Sequence, residues 1–339
     1  MLQRIFILCF LLIVLQTISF SQNKFSNINF QQVDDFARSV KYKTDLTDLT
    51  NKLTAPYTDS IYKLRAIFIW ITDNIAYDYK LLNSGDDKWR RFSCSGNKAT
   101  CTQARIDWEN GVLEHVLNSR KALCSGYSFL FKRMCNIAGI RNEMIPGYIK
   151  NGPQQIGLIL GVSHDWNIIQ LEGETFECDA TWAAGGCKAD EGGKPVDYIK
   201  NYQNYYWLTP VHKFARDHHP KEDKWITAGN SNTSKESFFN APYFYPIPLS
   251  RSIEKHLPGS GVINSKIGDT IHFEFTCAYE VKKIQVTTNN YRDVDMLFSG
   301  RSIQPNNIYK FDYVVKENSL YYIDILFDFK KVVRYRVKY

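Results

Sequence analysis

One predicted helix, beginning at Cys124, constrains the fold of this chain more than any other stretch. The apolar residues that follow it recur at helical spacing: Tyr127, Leu130, Phe131, Met134 and Ala138. Gly139 stands where such a helix would end. The pattern predicts a largely buried helix with a cysteine in its first turn, where unbonded backbone N–H groups and the helix dipole favour thiolate over thiol. A lone cysteine is more often a structural core residue, so a reactive role requires a base elsewhere in the chain.

A predicted hairpin downstream supplies that base. The stretches on either side of Glu172-Gly173 have strand patterns. Because strand side chains alternate, a loop of two or four residues places His164 and Asp179 on one face, directly or diagonally opposed. An odd-length loop would place them on opposite faces. A nucleophilic thiol needs a base and a third group that orients the base. Cys124, His164 and Asp179 supply these three groups in that chain order.

The first 21 residues have the pattern of a secretory signal. Arg4 gives a positive start, residues 5–15 form an apolar run of 11, and residues 19–21 offer a small-x-small cleavage site before Gln22. The run is too short for a comfortable membrane span, and Cys9 lies inside it, which argues against a lipid anchor. We therefore expect an exported chain (periplasmic, extracellular or at the cell surface), with no integral membrane segment after signal removal.

The cysteine count supports a reactive thiol in an exported protein. Of eight cysteines, one lies in the signal, and the remaining seven suggest disulfide pairs plus one free thiol. Cys94 and Cys101 flank a polar loop and are the strongest candidates for a disulfide, whereas Cys178 with Cys187 is a weaker pair. The cysteines predicted to lie in the core are Cys135 and Cys277.

The remaining patterns predict an α+β domain followed by an all-β domain. Residues 22–230 form the first domain, 231–240 a linker of small polar residues, and 241–339 a sandwich of the immunoglobulin-like kind. The predicted elements of the first domain are helices within 23–54 and at 60–75 and 107–118, strands at 142–149, 163–171 and 175–182, a polar surface insertion at 81–107, a glycine-rich loop at 185–194 and a strand-like stretch at 202–207. The predicted strands of the second domain are 271–277, 282–288, 308–315, 320–327 and 332–338.

Several motifs resemble the transglutaminase-like superfamily, and some are similar to its kyphoscoliosis-peptidase-like branch. The superfamily resemblance is carried by residues 121–127, 138–140, 147–148, 164–167 and 179–182, and the branch resemblance by residues 70–78 and 214–225. It covers residues 50 to 225 and implies a papain-like α+β core, in which a helix bearing a cysteine packs on an antiparallel sheet. It also implies that Cys124 is the nucleophile, His164 the base and Asp179 its orienting group.

Four further residues are predicted to line the site. Trp166 and Trp182 would shield it from water or pack in the core, and Tyr127 belongs to the cysteine motif. Asp165 departs from the small residue that the superfamily usually has after its histidine. On the outer face of the strand, its carboxylate could pair with His164 or bind substrate.

The function that follows is acyl transfer from an amide through a thioester on Cys124. The amide could be a glutamine side chain, a peptide bond, a glycosylated asparagine or a cell-wall peptide, and the acceptor could be water or an amine. A rival interpretation is a non-catalytic surface scaffold that binds peptides in the same fold. Paired carboxylates suited to glycoside chemistry do not stand out.

Partners follow from composition and charge. The formal charge of +7 falls to +6 without residues 1–21, and no basic stripe stands out, so we expect a protein or peptide substrate and no nucleic acid. The C-terminal sandwich could bind a further partner. We expect no cofactor and no metal, because His212, His218 and His219 do not fit a standard zinc spacing and are better explained as a structural segment beside the site.

Overall fold

The computed structural model describes residues 25, 27–86, 89, 92–226, 234–289, 293–299 and 307–339. The predicted signal at 1–21 lies outside the described residues. The helices are α1 Gln31–Ser39, α2 Leu46–Thr54, α3 Ser60–Asn74, α4 Tyr79–Ser84, α5 Lys98–Ser119, α6 Cys124–Ile137, α7 Ala180–Ala184, α8 Val211–Phe214, α9 Lys235–Asn240 and α10 Pro248–Arg251. Within the described ranges, no helix is both long enough and apolar enough to cross a membrane.

The strands form one sheet in the N-terminal part, two in the C-terminal part, and two short pairs. Their bounds are β1 Ala76–Tyr77, β2 Lys121–Ala122, β3 Asn142–Ile149, β4 His164–Leu171, β5 Glu174–Cys178, β6 Gly185–Ala189, β7 Pro195–Lys200, β8 His218–Pro220, β9 Tyr243–Phe244, β10 Ile253–Leu257, β11 Val262–Asn264, β12 Thr270–Cys277, β13 Lys283–Thr288, β14 Asp293–Ser299, β15 Ile308–Val314, β16 Tyr322–Phe327 and β17 Lys330–Lys338. In the N-terminal sheet the strand order is β5–β4–β3–β8, and every neighbouring pair is antiparallel.

Helix α6 is the central element of the N-terminal part. Its apolar face contacts α3 and the sheet strands β3 and β4, while α5 packs alongside it. Tyr127, Phe131 and Met134 are completely buried there, as the helical spacing predicts. Gly126 is required by the packing, because a Cβ at this position would lie 2.9 Å from side-chain carbons of both Ala122 and Val116. The helix ends before Gly139, which takes the left-handed conformation with φ of 72°.

The β4–β5 hairpin has the register that the sequence predicts. Leu171 pairs with Glu174 across a two-residue loop, and both Glu172 and Gly173 have positive φ, of 49° and 81°. Positive φ at both loop residues matches the tight turn whose twist suits a hairpin. Strand β5 ends at Cys178, however, and the chain turns into α7 where the sequence pattern indicated that the strand continues to residue 182.

The C-terminal part is a β-sandwich. A three-stranded sheet, β10–β12–β15, faces a six-stranded sheet that contains β11–β17–β16–β13–β14 and places β9 on β17. One apolar core joins the two sheets, with Phe275, Ile325 and Tyr335 among its completely buried side chains. The predicted fold class, an α+β core followed by a C-terminal β-sandwich, is therefore confirmed. Strands β9, β10, β11 and β14 were not among the predicted elements.

Three stretches of the N-terminal part differ from the prediction. The predicted insertion at 81–107 contains α4 and the first half of α5, a helix of 22 residues that begins behind the N-cap Asn97. The first half of the predicted glycine-rich loop at 185–194 is strand β6, which pairs with β7. The strand-like stretch at 202–207 contains a 3₁₀ turn at Asn204–Tyr206. Polar composition and clustered aromatic residues are poor indicators of secondary structure in these stretches, because tertiary packing decides which element forms.

The predicted linker at 231–240 includes α9, which is not a free connection. Phe238 and Phe239 on this helix are completely buried. The buried ammonium of Lys150, at the end of β3, donates to the carbonyl oxygens of Phe238 and Ala241, at 2.6 and 2.7 Å. Burial lowers the pKa of Lys150 to about 7. The described end of the linker is therefore fixed to the N-terminal core.

We predict that Gly147→Ala destabilises the protein by about 1–3 kcal/mol, the usual cost of overpacking a core. Gly147 pairs with His164 on one side and Pro220 on the other. A Cβ there would overlap the Trp166 ring and lie 2.5 Å from the backbone oxygen of His219. Urea denaturation measures the change in the free energy of unfolding.

Gly186→Ala is the matched control for this prediction. Gly186 also lies in a strand, but a Cβ at this position meets no atom within 4 Å. Its stability should stay within about 0.5 kcal/mol of the wild type. Equal losses of unfolding free energy in the two variants would contradict the prediction, because close packing at Gly147 would then add nothing to the stability of β3, β4 and β8.

Candidate active site

Cys124 occupies the first residue of α6 and is partly exposed. Leu123 before it is extended, so the helix begins abruptly at the cysteine. The first backbone N–H groups of a helix have no intrahelical acceptor, and together with the helix dipole they favour negative charge on the sulfur. The position of the thiol therefore suits a nucleophile.

His164, the first residue of β4, lies between Asp179 and Cys124. Its Nε2 is 2.7 Å from Asp179 Oδ2, which leaves Nδ1 as the ring nitrogen for the thiol. Burial by itself lowers the pKa of His164, but the charge and hydrogen bond of Asp179, aided by Cys124, raise it well above its ordinary value. The structure thus brings the three predicted residues together, with the imidazole in the central position.

The Asp179 carboxylate is completely buried and accepts four hydrogen bonds. Oδ1 accepts from the backbone N–H groups of Thr181 and Trp182, at 2.8 and 3.1 Å, so Asp179 also caps α7. Oδ2 accepts from His164 and from His218, at 2.7 and 3.2 Å. Burial opposes ionisation, yet the charge of His164 and the bonds from both histidines hold the pKa of Asp179 well below its ordinary value. The carboxylate is fixed in direction and charge.

His218 is the site residue whose place the sequence patterns did not reveal. Its Nδ1 is 2.6 Å from Asp217 Oδ1, while its Nε2 faces Asp179. Burial lowers the pKa of His218, and the charge of Asp217 with the bonds to both carboxylates raises it above the ordinary value. The sequence signal was the Asp217-His218 pair, but its meaning depends on β8 pairing with β3, which no local pattern predicts.

Asp165 lies beside the thiol, which corrects its predicted place. The outer face of β4 at this residue is covered by the start of α6, so Asp165 Oδ2 is 3.8 Å from Cys124 Sγ. Ser128 Oγ on α6 donates to the Asp165 carbonyl oxygen at 3.0 Å. Burial raises the pKa of the Asp165 carboxyl. A second acidic group therefore borders the nucleophile.

The three aromatic candidates occupy different places. The half-buried Trp182 has its ring 5.5 Å from that of His164, which suits a shield at the site. Trp166 is completely buried between Phe214 and His218 and does not line an open surface. Tyr127 is also completely buried, and its hydroxyl donates to the Ile75 carbonyl oxygen at 2.6 Å. Trp166 therefore takes the second of its two predicted roles, packing in the core, and Tyr127 is a core residue rather than one that lines the site.

Among the described residues, the other cysteines separate into one disulfide and four free thiols. Cys94 and Cys101 are joined by a disulfide with a Cα–Cα distance of 5.6 Å. The weaker candidate pair, Cys178 and Cys187, is not bonded, and both thiols are free. Burial raises the pKa of Cys178 well above its ordinary value, and that of Cys187 less strongly. The remaining buried free thiols are Cys135 and Cys277.

Two histidines of the predicted histidine segment contact side chains of other elements. His212 lies 3.3 Å from Glu254 on β10, and His219 stacks on Phe238 of α9. Among the described residues, His164, Asp179 and His218 do place one potential ligand atom each within 4.8 Å of one another. Those atoms are already hydrogen-bonded to each other, so the donor set is satisfied as it stands. We assign no metal to it.

A helix-borne cysteine beside an antiparallel sheet that carries a histidine–aspartate pair is the arrangement implied by the transglutaminase-like resemblance. Kyphoscoliosis peptidase of Homo sapiens is 30% identical over 198 residues, which are 58% of this chain and 26% of that protein. Hillarin of Drosophila melanogaster is 28% identical over 227 residues, which are 64% of this chain and 25% of that protein. These relatives confirm the predicted resemblance to the transglutaminase-like superfamily and to kyphoscoliosis peptidase within it.

The chain spans about a quarter of the length of the curated relatives it matches. No family model matches the chain. A solved structure of a TGase is 17% identical, with 56% of this chain and 40% of that chain covered and a TM-score of 0.28.

We predict that Asp179→Asn destabilises the fold by about 3–5 kcal/mol near pH 6, the usual cost of breaking a buried charge pair. Folding lowers the pKa of Asp179, so its contribution is present above about pH 3.9 and is lost as pH falls through the folded value. Folding raises the pKa of His164, so that contribution is complete below about pH 6.5 and is lost as pH rises through the raised value. The difference in the free energy of unfolding, from urea denaturation, should be largest between these limits.

The control variant is Asp197→Asn, at an exposed residue 3.6 Å from the Lys188 ammonium. Its stability should stay within about 0.5 kcal/mol of the wild type at every pH. A loss in Asp179→Asn that does not vary with pH would contradict the prediction, since it would mean that Asp179 acts only as a hydrogen-bond acceptor.

Proposed function

We propose that the chain is a cysteine enzyme of acyl transfer, in which Cys124 attacks an amide of a protein or peptide. The observation that supports this is the meeting of three groups at one point: a partly exposed thiol at a helix start, a buried imidazole, and a buried carboxylate that orients it. A thiol at a helix start is activated by its position, and an imidazolium beside it favours the thiolate further. The similarity of the chain to kyphoscoliosis peptidase, which is named as a peptidase, agrees with this class of chemistry.

Acylation forms a thioester and releases the amine part of the substrate. The Cys124 thiolate attacks the carbonyl carbon, and the carbonyl π electrons move to oxygen. The developing oxyanion would lie near the first N–H groups of α6, which have no intrahelical acceptor. As the tetrahedral intermediate collapses, the C–N bond breaks, and the leaving nitrogen takes the proton from His164. Asp179 keeps the imidazole in place throughout.

Deacylation returns the enzyme to its starting state. Water or an amine attacks the thioester carbonyl while His164 accepts the proton of the nucleophile. The C–S bond then breaks, and Cys124 leaves as a thiolate paired with the imidazolium. Water gives a peptidase or amidase, and an amine gives cross-linking. The Asp165 carboxylate beside the sulfur would favour substrates or acceptors that carry a positive charge near the reacting bond.

We predict that Cys124 reacts with iodoacetamide below pH 7.5 at least about tenfold faster than the other free thiols. Cys187 is the matched internal control, because it is also partly exposed but lies in a hairpin, where burial raises its pKa. Mass spectrometry of each cysteine peptide after timed labelling gives both rates in one sample. His164→Ala should remove most of the difference between the two thiols.

Equal labelling of Cys124 and Cys187 would support the rival function, a non-catalytic scaffold that binds peptides.

Trapping of the thioester identifies the substrate of the enzyme. Wild-type protein incubated with a mixed peptide library and quenched in acid should carry a thioester on Cys124, and Cys124→Ala should carry none. Repeating the incubation with and without an added primary amine shows which acceptor the thioester prefers.

We further infer that the chain is exported. The support is the charged start and apolar run at residues 1–21, together with the Cys94–Cys101 disulfide, which suits an oxidising compartment. We predict that protein expressed from the full sequence and recovered from a secreting host begins at Gln22 on N-terminal sequencing. Replacing residues 5–15 with a polar stretch should retain the full-length chain inside the cell. An uncleaved, internal wild-type chain would contradict export.

A further inference from the structure

A second histidine–aspartate pair lies behind the first. His218 is completely buried and bridges two carboxylates, with Asp217 at 2.6 Å from Nδ1 and Asp179 at 3.2 Å from Nε2. A ring nitrogen that faces a carboxylate must donate, so a histidine that bridges two of them is the charged imidazolium. Because both nitrogens are occupied, His218 cannot serve as a base toward the thiol. Its hydrogen bond to the catalytic groups is with Asp179, and its charge lies near the His164 ring.

Aromatic rings surround this imidazolium. Phe214 stacks on it with ring centroids 4.0 Å apart, and the centroids of Trp182 and Trp166 are 4.6 and 5.1 Å away. Aromatic faces stabilise a cation and hold its ring in one orientation. The packed ring of His218 therefore contacts Asp179 at Oδ2, whereas the α7 backbone contacts Oδ1.

We propose that His218, held by Asp217, is a positioning residue that orients Asp179 and sets both the direction and the proton affinity of His164. The proposal rests on the proposed function of Cys124. His218 and His164 share a single carboxylate oxygen, and their ring centroids are 5.6 Å apart. A fixed positive charge so close disfavours a second one on His164. His218 thus offsets part of the attraction of Asp179 and brings the proton affinity of His164 nearer to neutrality, where a base works best.

Other charged groups face the two rings and enter the balance. Those acting on His164 are Asp179, Cys124 and, through its own charge, Asp165. Those facing His218 are Asp217, Asp179 and Glu177, a buried acid of β5 whose pKa burial raises to about 7. The Tyr206 hydroxyl donates to Asp217 Oδ2 at 3.3 Å. Near neutral pH, the positive charge of His218 can be removed by substitution without removing the contacts of His164 with Asp179 and Cys124.

The test is the pH dependence of Cys124 alkylation by iodoacetamide in wild type, His218→Gln and His272→Gln. The rate should show one inflection where the thiolate–imidazolium pair forms and a second where His164 loses its proton. In His218→Gln the second inflection should move up by about 0.5–1 pH unit, because a nearby cation is gone while the amide still donates to Asp179. His272, exposed on the sandwich and 2.7 Å from Asp312, is the matched control and should give the wild-type profile.

The outcomes separate this proposal from the proposed function. A second inflection in His218→Gln within about 0.2 pH unit of wild type would overturn the role of His218 and leave the Cys124 chemistry intact. A wild-type profile with neither inflection below the pKa range of an ordinary thiol would overturn both the role of His218 and the proposed function. A shift of equal size in His272→Gln would show a general charge effect, which also overturns the specific role.

Asp217→Asn keeps the test decisive if His218→Gln does not fold. The Asp217 side chain is 21% exposed, and Asn preserves its shape, so this variant disturbs the core less. In ¹⁵N-histidine NMR spectra, one buried imidazolium should titrate at a pH lower by about one unit than in wild type, because its anionic partner is lost. Unchanged titration of every histidine would overturn the statement that Asp217 holds His218 in its charged form.

Discussion

The buried carboxylate of Asp179 is the constraint on which the rest of the site depends. An ionised carboxylate taken out of water costs several kcal/mol unless donors replace its hydration. Here four donors do so, two from the backbone of α7 and one each from His164 and His218. These donors belong to three separate elements, so the carboxylate is satisfied only when α7, β4 and β8 meet correctly. The geometry that suits catalysis is thus also a condition for a stable core.

What the sequence could predict was local. The turn at Glu172-Gly173 sets the hairpin register within a few residues, and register alone decides that His164 and Asp179 share a face. The start of α6 at Cys124 follows from helical spacing and the glycine behind it. The hairpin register and the start of α6 depend only on short-range geometry, so the sequence alone predicts both.

What the sequence could not predict depended on contacts between distant segments. Asp217 and His218 enter the site because β8 pairs with β3, some seventy positions earlier in the chain. No periodicity records such a pairing, and a histidine next to an aspartate is common in loops. The same reason explains Asp165: alternation shows that it faces away from His164, but only the packing of α6 on that face shows that Cys124 is its neighbour.

The segment that carries Asp217 and His218 is held from the side of the sandwich as well. Arg216 donates to the Ile253 carbonyl oxygen at 2.6 Å, and Lys213 lies 2.7 Å from Glu254 on the same strand, β10. Residues 211–217 therefore lie between the N-terminal core and strand β10 of the sandwich. Arg216 precedes Asp217 in the chain and is bonded to β10, so a displacement of β10 would also displace Asp217. The sandwich thus helps to fix the second histidine, and through it the carboxylate that orients the first.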